Sequence, residues 1–328
     1  MTIHRTGNTA DPVNSSFLRK DSRRAHPDAR ILRSSIMELT LHIIGIITPV
    51  MIVSALGYAY ARLRKPDMTW INRLSTDLLL PLLIYTSMAS KAFDIRQFLP
   101  LIAGGLLVLL GSGLIAWGVA RFFDYNPRAF VPSMMFSNVG NMGLPLTLLA
   151  FGQEALPAAI ALFIVGNLSL FSLGIHLCAP DVGVKNILRG PMLWATVAGT
   201  ISSLAGFALP EWLAFSTRML GDTAIPLGLF TLGVGFAGFK VERWHVGIVG
   251  AALRPLAGLA VAWPLVHFLP LSPMLRGVLL LNAALPPAVM NYILAERYRQ
   301  EPGLVAAIVV VGNAASIIFV PLSLYLAF

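Results

Sequence analysis

The sequence predicts an all-α polytopic membrane protein: ten transmembrane helices in two inverted five-helix repeats, with the fourth and ninth helices broken. Three observations predict it. Of 328 residues, 56% are hydrophobic and only 12% charged, too apolar a balance for a soluble domain of this size. Short residue patterns recur in order at one offset. Two apolar runs at corresponding places in the repeats are interrupted by Asn, Pro and Gly.

The ten apolar segments run over about 39–61, 70–90, 98–121, 129–151, 155–178, 191–213, 217–239, 245–268, 274–295 and 303–327. Each is near the length that a helix needs to cross the hydrocarbon core. Ahead of them, residues 1–36 are polar, with seven basic and three acidic residues and no apolar period. They read as a disordered basic tail, or as no part of the native start if translation begins at Met37. Nothing in them makes a cleavable signal peptide. The expected organisation is a first five-helix repeat over 37–178, a cytoplasmic loop over 179–190 and a second, inverted repeat over 191–328.

The net charge of +9 is not a nucleic-acid footprint, because the cations sit in short loops and in the tail. With loops assigned to alternating sides, one side holds Arg62, Arg64, Lys65, Arg73, Arg121, Arg128, Lys185, Arg189, Lys240, Arg243, Arg297 and Arg299. The other holds Lys91, Arg96, Arg218 and Arg276. Twelve against four makes the first side cytoplasmic and puts both termini outside; only the seven basic residues of the tail oppose this. The single cysteine, Cys178, allows no intramolecular disulfide and no metal cluster.

Asp77-x3-Pro81 in the second segment recurs as Asp222-x3-Pro226 in the seventh, 145 residues on. Ala116-Trp117 recurs as Ala262-Trp263, and Val165-Gly166-Asn167 as Val311-Gly312-Asn313, both at 146. Five spans per unit is an odd number, so the second copy is inverted in the membrane, a hallmark of secondary transporters.

The fourth segment contains Asn138-Val139-Gly140-Asn141-Met142-Gly143-Leu144-Pro145. Glycine raises the cost of helix, and Pro145 lacks an N–H and clashes with the carbonyl four residues back. Non-helical backbone at membrane depth survives only where protein buries it or a wet cavity receives it. The expectation is a broken helix whose second half begins near Pro145, with free N–H groups and the positive dipole end facing an anion. A glycine-rich packing face with a proline kink is the plainer alternative. The ninth segment carries Asn282, Pro286, Pro287 and Asn291, a second interruption at the corresponding place.

The octapeptide Asn138–Pro145 resembles the fourth-helix signature of the auxin efflux carrier family, and the likeness extends from about Met37 to Phe328 in helix count and order. The short middle loop matches the compact bacterial, malonate-transporter-like type. The resemblance implies two broken helices that cross near the membrane centre, with Asn138, Gly140, Asn141, Gly143 and Pro145 at the substrate site. In the ninth segment only the Asn/Pro character carries over. The wider superfamily of bile acid, arsenite and riboflavin-type transporters is built with a similar crossing.

Arg254 lies about ten residues inside the eighth segment, roughly 15 Å from its end, where a guanidinium is expensive and its fork can bind a carboxylate. A structural ion pair or snorkelling would account for it equally. Asp77 and Asp222 read as proton carriers in low dielectric or as caps on backbone freed by the following proline. Asn167 and Asn313 read as supports for the crossing helices. No phosphate loop, zinc-protease or nucleophile-elbow motif is present, which argues against direct ATP drive and against an enzyme. No cofactor or resident metal is expected.

The function these features point to is a secondary transporter of a small organic carboxylate in the cell (inner) membrane. A proton and a second copy of the chain are the further candidate partners. A sodium-coupled organic anion symporter and a sensor or channel subunit on the same fold are the alternatives.

Overall fold

The computed structural model describes residues 27–89, 95–180, 191–239, 241 and 243–328, with 27–36 and 95 as backbone alone. The tail to residue 26 lies outside the described residues, as do Lys91, Lys185, Arg189 and Lys240 among the loop cations counted above. The chain forms two units, Met1–His42 and Ile43–Phe328, and the site described below belongs to the second.

All the described regular structure is helical. In order it comprises α1 (Pro27–Arg64), α2 (Thr69–Leu74), α3 (Leu80–Met88), α4 (Ile95–Phe122), α5 (Pro127–Met135), α6 (Leu144–Phe151) and α7 (Leu156–Ser169). There follow α8 (Ile175–Cys178), α9 (Pro191–Leu204), α10 (Glu211–Asp222), α11 (Ala224–Gly238) and α12 (Trp244–Phe268). The last three are α13 (Pro273–Ala284), α14 (Val289–Arg297) and α15 (Pro302–Ala327). Helix α1 begins at Pro27, ahead of the boundary at 37 drawn from the sequence.

Six stretches of the described residues are long and apolar enough to cross a membrane: Met37–Arg64, Arg96–Phe122, Gln153–Cys178, Glu211–Gly238, Trp244–Phe268 and Pro302–Ala327. They answer to the first, third, fifth, seventh, eighth and tenth segments expected. The other four are interrupted, short or polar. The sixth, expected over 191–213, ends at Leu204: Gly206 takes a left-handed φ of 66° and Phe207 N–H closes on Ser202 O at 2.9 Å, a glycine helix stop. Pro210 is extended and α10 starts directly after it, so the seventh segment begins at Glu211 rather than 217.

Wide π-helical turns at Ser75–Leu79 and Val139–Gly143 each end two residues before a proline, Pro81 and Pro145. A widened turn separates the proline ring from the carbonyl it would otherwise strike. Both prolines are therefore carried inside continuous helix. No cap from Asp77 is needed, and that carboxylate lies exposed.

Packing is set by small residues, as expected where lipid supplies no hydrophobic drive between helices. A Cβ on Gly233 of α11 would collide with the Ser54 carbonyl of α1, and one on Gly57 with the Phe230 carbonyl. Helices α3, α9 and α10 pack together. Helices α4, α5, α7, α12, α13, α14 and α15 form the larger body. Two parts of its core lie among the described residues. One gathers Ala116, Phe130, Met134, Val246, Leu294 and Val305, and the other Leu101, Ala158, Leu259, Leu271 and Leu279. Helices α5 and α14 contribute to the first part and α13 to the second. Between the two parts the chain breaks twice.

Candidate crossing site

The first break follows α5. Phe136 is extended (φ −97°, ψ 108°), Ser137 lies in a bridge, and Asn138 (φ −79°, ψ 59°) leads into the wide turn at Val139. The second half-helix thus starts at Val139, six residues before the Pro145 start expected from the sequence. The second break follows α13. Leu285 (ψ 144°) and Ala288 (ψ 141°) are extended around Pro286 and Pro287. A residue preceding proline is pushed out of the α region, and here Leu285 and Pro286 both precede one.

The two breaks pair with each other. Ser137 and Pro287 form an antiparallel bridge, closed by Asn138 N–H to Pro286 O (2.8 Å) and Ala288 N–H to Phe136 O (2.9 Å). Side chains complete the junction. Asn291 Nδ2 donates to Phe136 O (2.9 Å), and Asn138 Nδ2 donates to Asn313 Oδ1 (3.2 Å). Asn313 Nδ2 in turn donates to Pro287 O (2.9 Å) and Val309 O (2.8 Å). In this way most backbone groups freed by the breaks find partners, as burial demands.

Four of the N–H groups left without an acceptor stand in the first turns of the two half-helices. Among the described residues, nothing accepts from the backbone N–H of Gly140 or Asn141 at the head of the first half-helix. The same holds for Val289 and Met290 at the head of α14. All four residues line one cavity of about 590 Å³. It runs from the two breaks toward Pro66, Asp67, Gly238 and Phe239, bounded on its other wall by α11. Asp67, in the exposed link between α1 and α2, takes the Thr69 N–H at 2.9 Å. Hydrogen bonding by Thr69 holds its carboxyl below the usual value.

Arg254 lines the same cavity and is 1% exposed, so the snorkelling alternative is excluded. It makes no ion pair among the described residues; Nη1 donates to Ala283 O at 3.1 Å and Nε has no partner. A buried guanidinium without an anion is costly. Its position depends on Gly258, one turn further along α12. A Cβ there would collide with the Ala283 carbonyl and approach Arg254 Nη1 to 2.7 Å. Sequence reasoning passed over Gly258, although its i, i+4 spacing from Arg254 was the available signal.

The residues singled out from the sequence fall into three groups. Gly140, Asn141, Asn167, Asn282 and Arg254 line the cavity. Asn138 also lines it but spends its amide on the junction, where Pro286, Pro287, Asn291 and Asn313 are likewise engaged. Gly143, packed against Leu285, and Pro145 are buried outside the cavity lining. Asp77 and Asp222 are exposed and take no part in it. Two side-chain oxygens near the breaks, Asn282 Oδ1 and Asn291 Oδ1, are buried without a donor.

This geometry accords with what the chain is similar to. The model of the membrane transport protein family matches over residues 42–185 and 181–324. An uncharacterised transporter of Methanocaldococcus jannaschii is 23% identical over 293 residues, spanning 83% of this chain and 95% of the relative. A Rhizobium meliloti protein named as a malonate transporter is 26% identical over 314 residues, 87% of this chain and 95% of that one. An Oryza sativa protein named as an auxin efflux carrier component matches at 26% over 147 residues, 39% of this chain and 24% of its own length. With the family model covering nearly the whole apolar region, this chain belongs to the membrane transport protein family that includes the auxin efflux carriers.

Proposed function

We propose that the protein is a secondary transporter that moves a small organic carboxylate across the cell membrane by alternating access, with the paired helix breaks as its substrate site. The observation that carries this reading is Arg254, a fully buried cation that lines the cavity and has no ion pair among the described residues. A carboxylate fits the guanidinium fork. The free N–H groups of Gly140, Asn141, Val289 and Met290 add donors and two positive helix ends.

The ten-segment, inverted-repeat architecture is part of the proposal. It is supported by the matched residue pairs at offsets of 145 and 146 and by the likeness of the breaks. In each, an Asn stands third in the following half-helix, Asn141 and Asn291, after a residue that takes part in the pairing. The charge bias of the loops supports a cytoplasmic side for the end of the cavity at the exposed Asp67 and Gly238, an inward-open reading. The naming of one relative as a malonate transporter makes malonate the first substrate to try.

Counterflow in proteoliposomes tests the reading. Unlabelled malonate inside should accelerate entry of labelled malonate several-fold. Flux without trans-acceleration would point to a channel, and altered label to an enzyme; either would overturn the proposal.

A further inference from the structure

We infer, on the carboxylate reading above, that the species held at the crossing carries one negative charge, so that a diacid binds with one carboxyl protonated and its proton travels on the substrate.

Two observations carry this. The first is a charge count. Arg254 is the only cation among the described residues lining the cavity, and Asp67, in the exposed link between α1 and α2, is the only acid. One buried guanidinium balances one carboxylate; a second carboxylate would enter low dielectric with no cation to meet it. The free N–H groups supply dipoles, not a second charge. The second observation is a mismatch of polarity. Arg254 Nε is a buried donor without an acceptor, while Asn282 Oδ1, one residue from the Ala283 carbonyl that holds Arg254, is a buried acceptor without a donor. A dianion offers only acceptors and leaves Asn282 Oδ1 unmet. A half-protonated diacid for which the wall opens at these two buried atoms offers a carboxylate to the first and an O–H to the second.

Among the described residues, no acid beside the crossing competes for this proton, since Asp67 stands in the exposed link between α1 and α2. The helices packed on α12 bring Arg96 and Arg121 (α4), Arg128 (α5), Arg276 (α13) and Tyr325 (α15), and α12 itself has His245 and His267. None of them lines the cavity. The remaining titratable lining group is Tyr292, whose hydroxyl donates to Glu296.

The test compares labelled malonate with its monomethyl ester, a fixed monoanion, in wild-type proteoliposomes at clamped membrane potential. The pH is varied on either side of malonate's second pKa. The apparent KM for total malonate should rise about tenfold per pH unit above that pKa, while the ester's stays flat; titration of the protein itself would move both. Asn282→Leu should weaken uptake of malonate at low pH more than uptake of the ester, so that the preference for malonate over the ester is lost; an unchanged preference overturns the role of Asn282. A malonate KM that is flat or falls as pH rises identifies the dianion as the bound species and overturns the inference, with the carboxylate reading intact. If neither compound is carried at any pH, the carboxylate reading itself fails and this inference with it.

Discussion

The two breaks reach one geometry by different chemistry. The first is built on glycine and a wide turn: the chain leaves α5 at Phe136, re-enters helix at Val139 and carries Pro145 forward inside it. The second is built on consecutive prolines, which forbid helix at Leu285 and Pro286 and have no N–H to place. Their hydrogen-bonding roles differ accordingly. Across the junction the proline break donates twice, from Ala288 N–H and Asn291 Nδ2 to Phe136 O, and accepts once, at Pro286 O from Asn138 N–H, while Asn313 takes up the Pro287 carbonyl and the Asn138 amide. A strand-like pairing at membrane depth is stable here because groups freed by each break meet partners on the other. One break is pliable and the other stiff, so the stiff one sets where the pliable one can sit.

The sharpest way to break this comparison is at Asn313, which serves both sides at once. Asn313→Leu keeps the volume but strands the Asn138 amide and the Pro287 carbonyl in a buried site, at about 1–3 kcal/mol each. Stability of the purified protein in detergent should fall by about 2–6 kcal/mol on chemical unfolding. Asn167, its counterpart in the offset pairs, lines the cavity instead and has no side-chain hydrogen bond to lose among the described residues. Asn167→Leu should leave stability within about 0.5 kcal/mol and show itself in uptake alone. Equal destabilisation by the two variants would mean that the breaks are held alike.

Next in size is the ligand side. Losing a hydrogen bond to a charged group costs about 1.5–3 kcal/mol, roughly ten- to a hundredfold in affinity. Arg254→Ala should weaken carboxylate uptake by at least that order. Arg254→Lys should weaken it less, because Lys keeps the charge and loses only the fork. Asn141→Ala and Asn282→Ala should fall in the same ten- to hundredfold range with expression nearly unchanged. Asn138→Ala, whose amide is spent on the junction, should lower thermal stability as well as uptake. Transport at parental rates in the Arg254, Asn141 and Asn282 variants would put the anion elsewhere.

Much of this was legible in the sequence, and what was not has identifiable causes. Apolar run lengths gave the helical membrane class, and the octapeptide at Asn138–Pro145 gave the family. That helix fails in the fourth and ninth segments was readable from Asn, Gly and Pro. Where it fails was not, since a wide turn can absorb Pro145 and moves the half-helix start back to Val139; no residue preference marks such a turn. Arg254 was found by its depth, but its missing partner was not, because sequence cannot tell a buried ion pair from a buried lone cation. Depth in the segment says nothing of which side of the helix Asp77 occupies, and that side is exposed. Gly258 went unnoticed because its importance is a matter of space, the close passage of the Ala283 carbonyl and Arg254.

The smallest effects should come from the prolines, and they test the stiffness of the second break most directly. Pro286→Ala alone leaves Pro287 to keep residue 286 extended. Its cost should be about 0.4–1 kcal/mol, largely through added freedom of the unfolded chain. Pro287→Ala leaves Pro286 to hold Leu285 and should behave in the same way. With both replaced, nothing prevents α13 from continuing: residue 286 gains an N–H that can reach the Asn282 carbonyl, now holding only a long 3.4 Å bond from Leu285. Continued helix would draw the residue 286 carbonyl away from Asn138 N–H and open the junction. The double variant should therefore lose clearly more than the sum of the singles in both unfolding free energy and uptake, a coupling expected of residues that share one structure. A double-mutant cycle that closes to within about 0.5 kcal/mol would show that the prolines act separately, and that the pairing with Phe136–Asn138 keeps the second break extended without them.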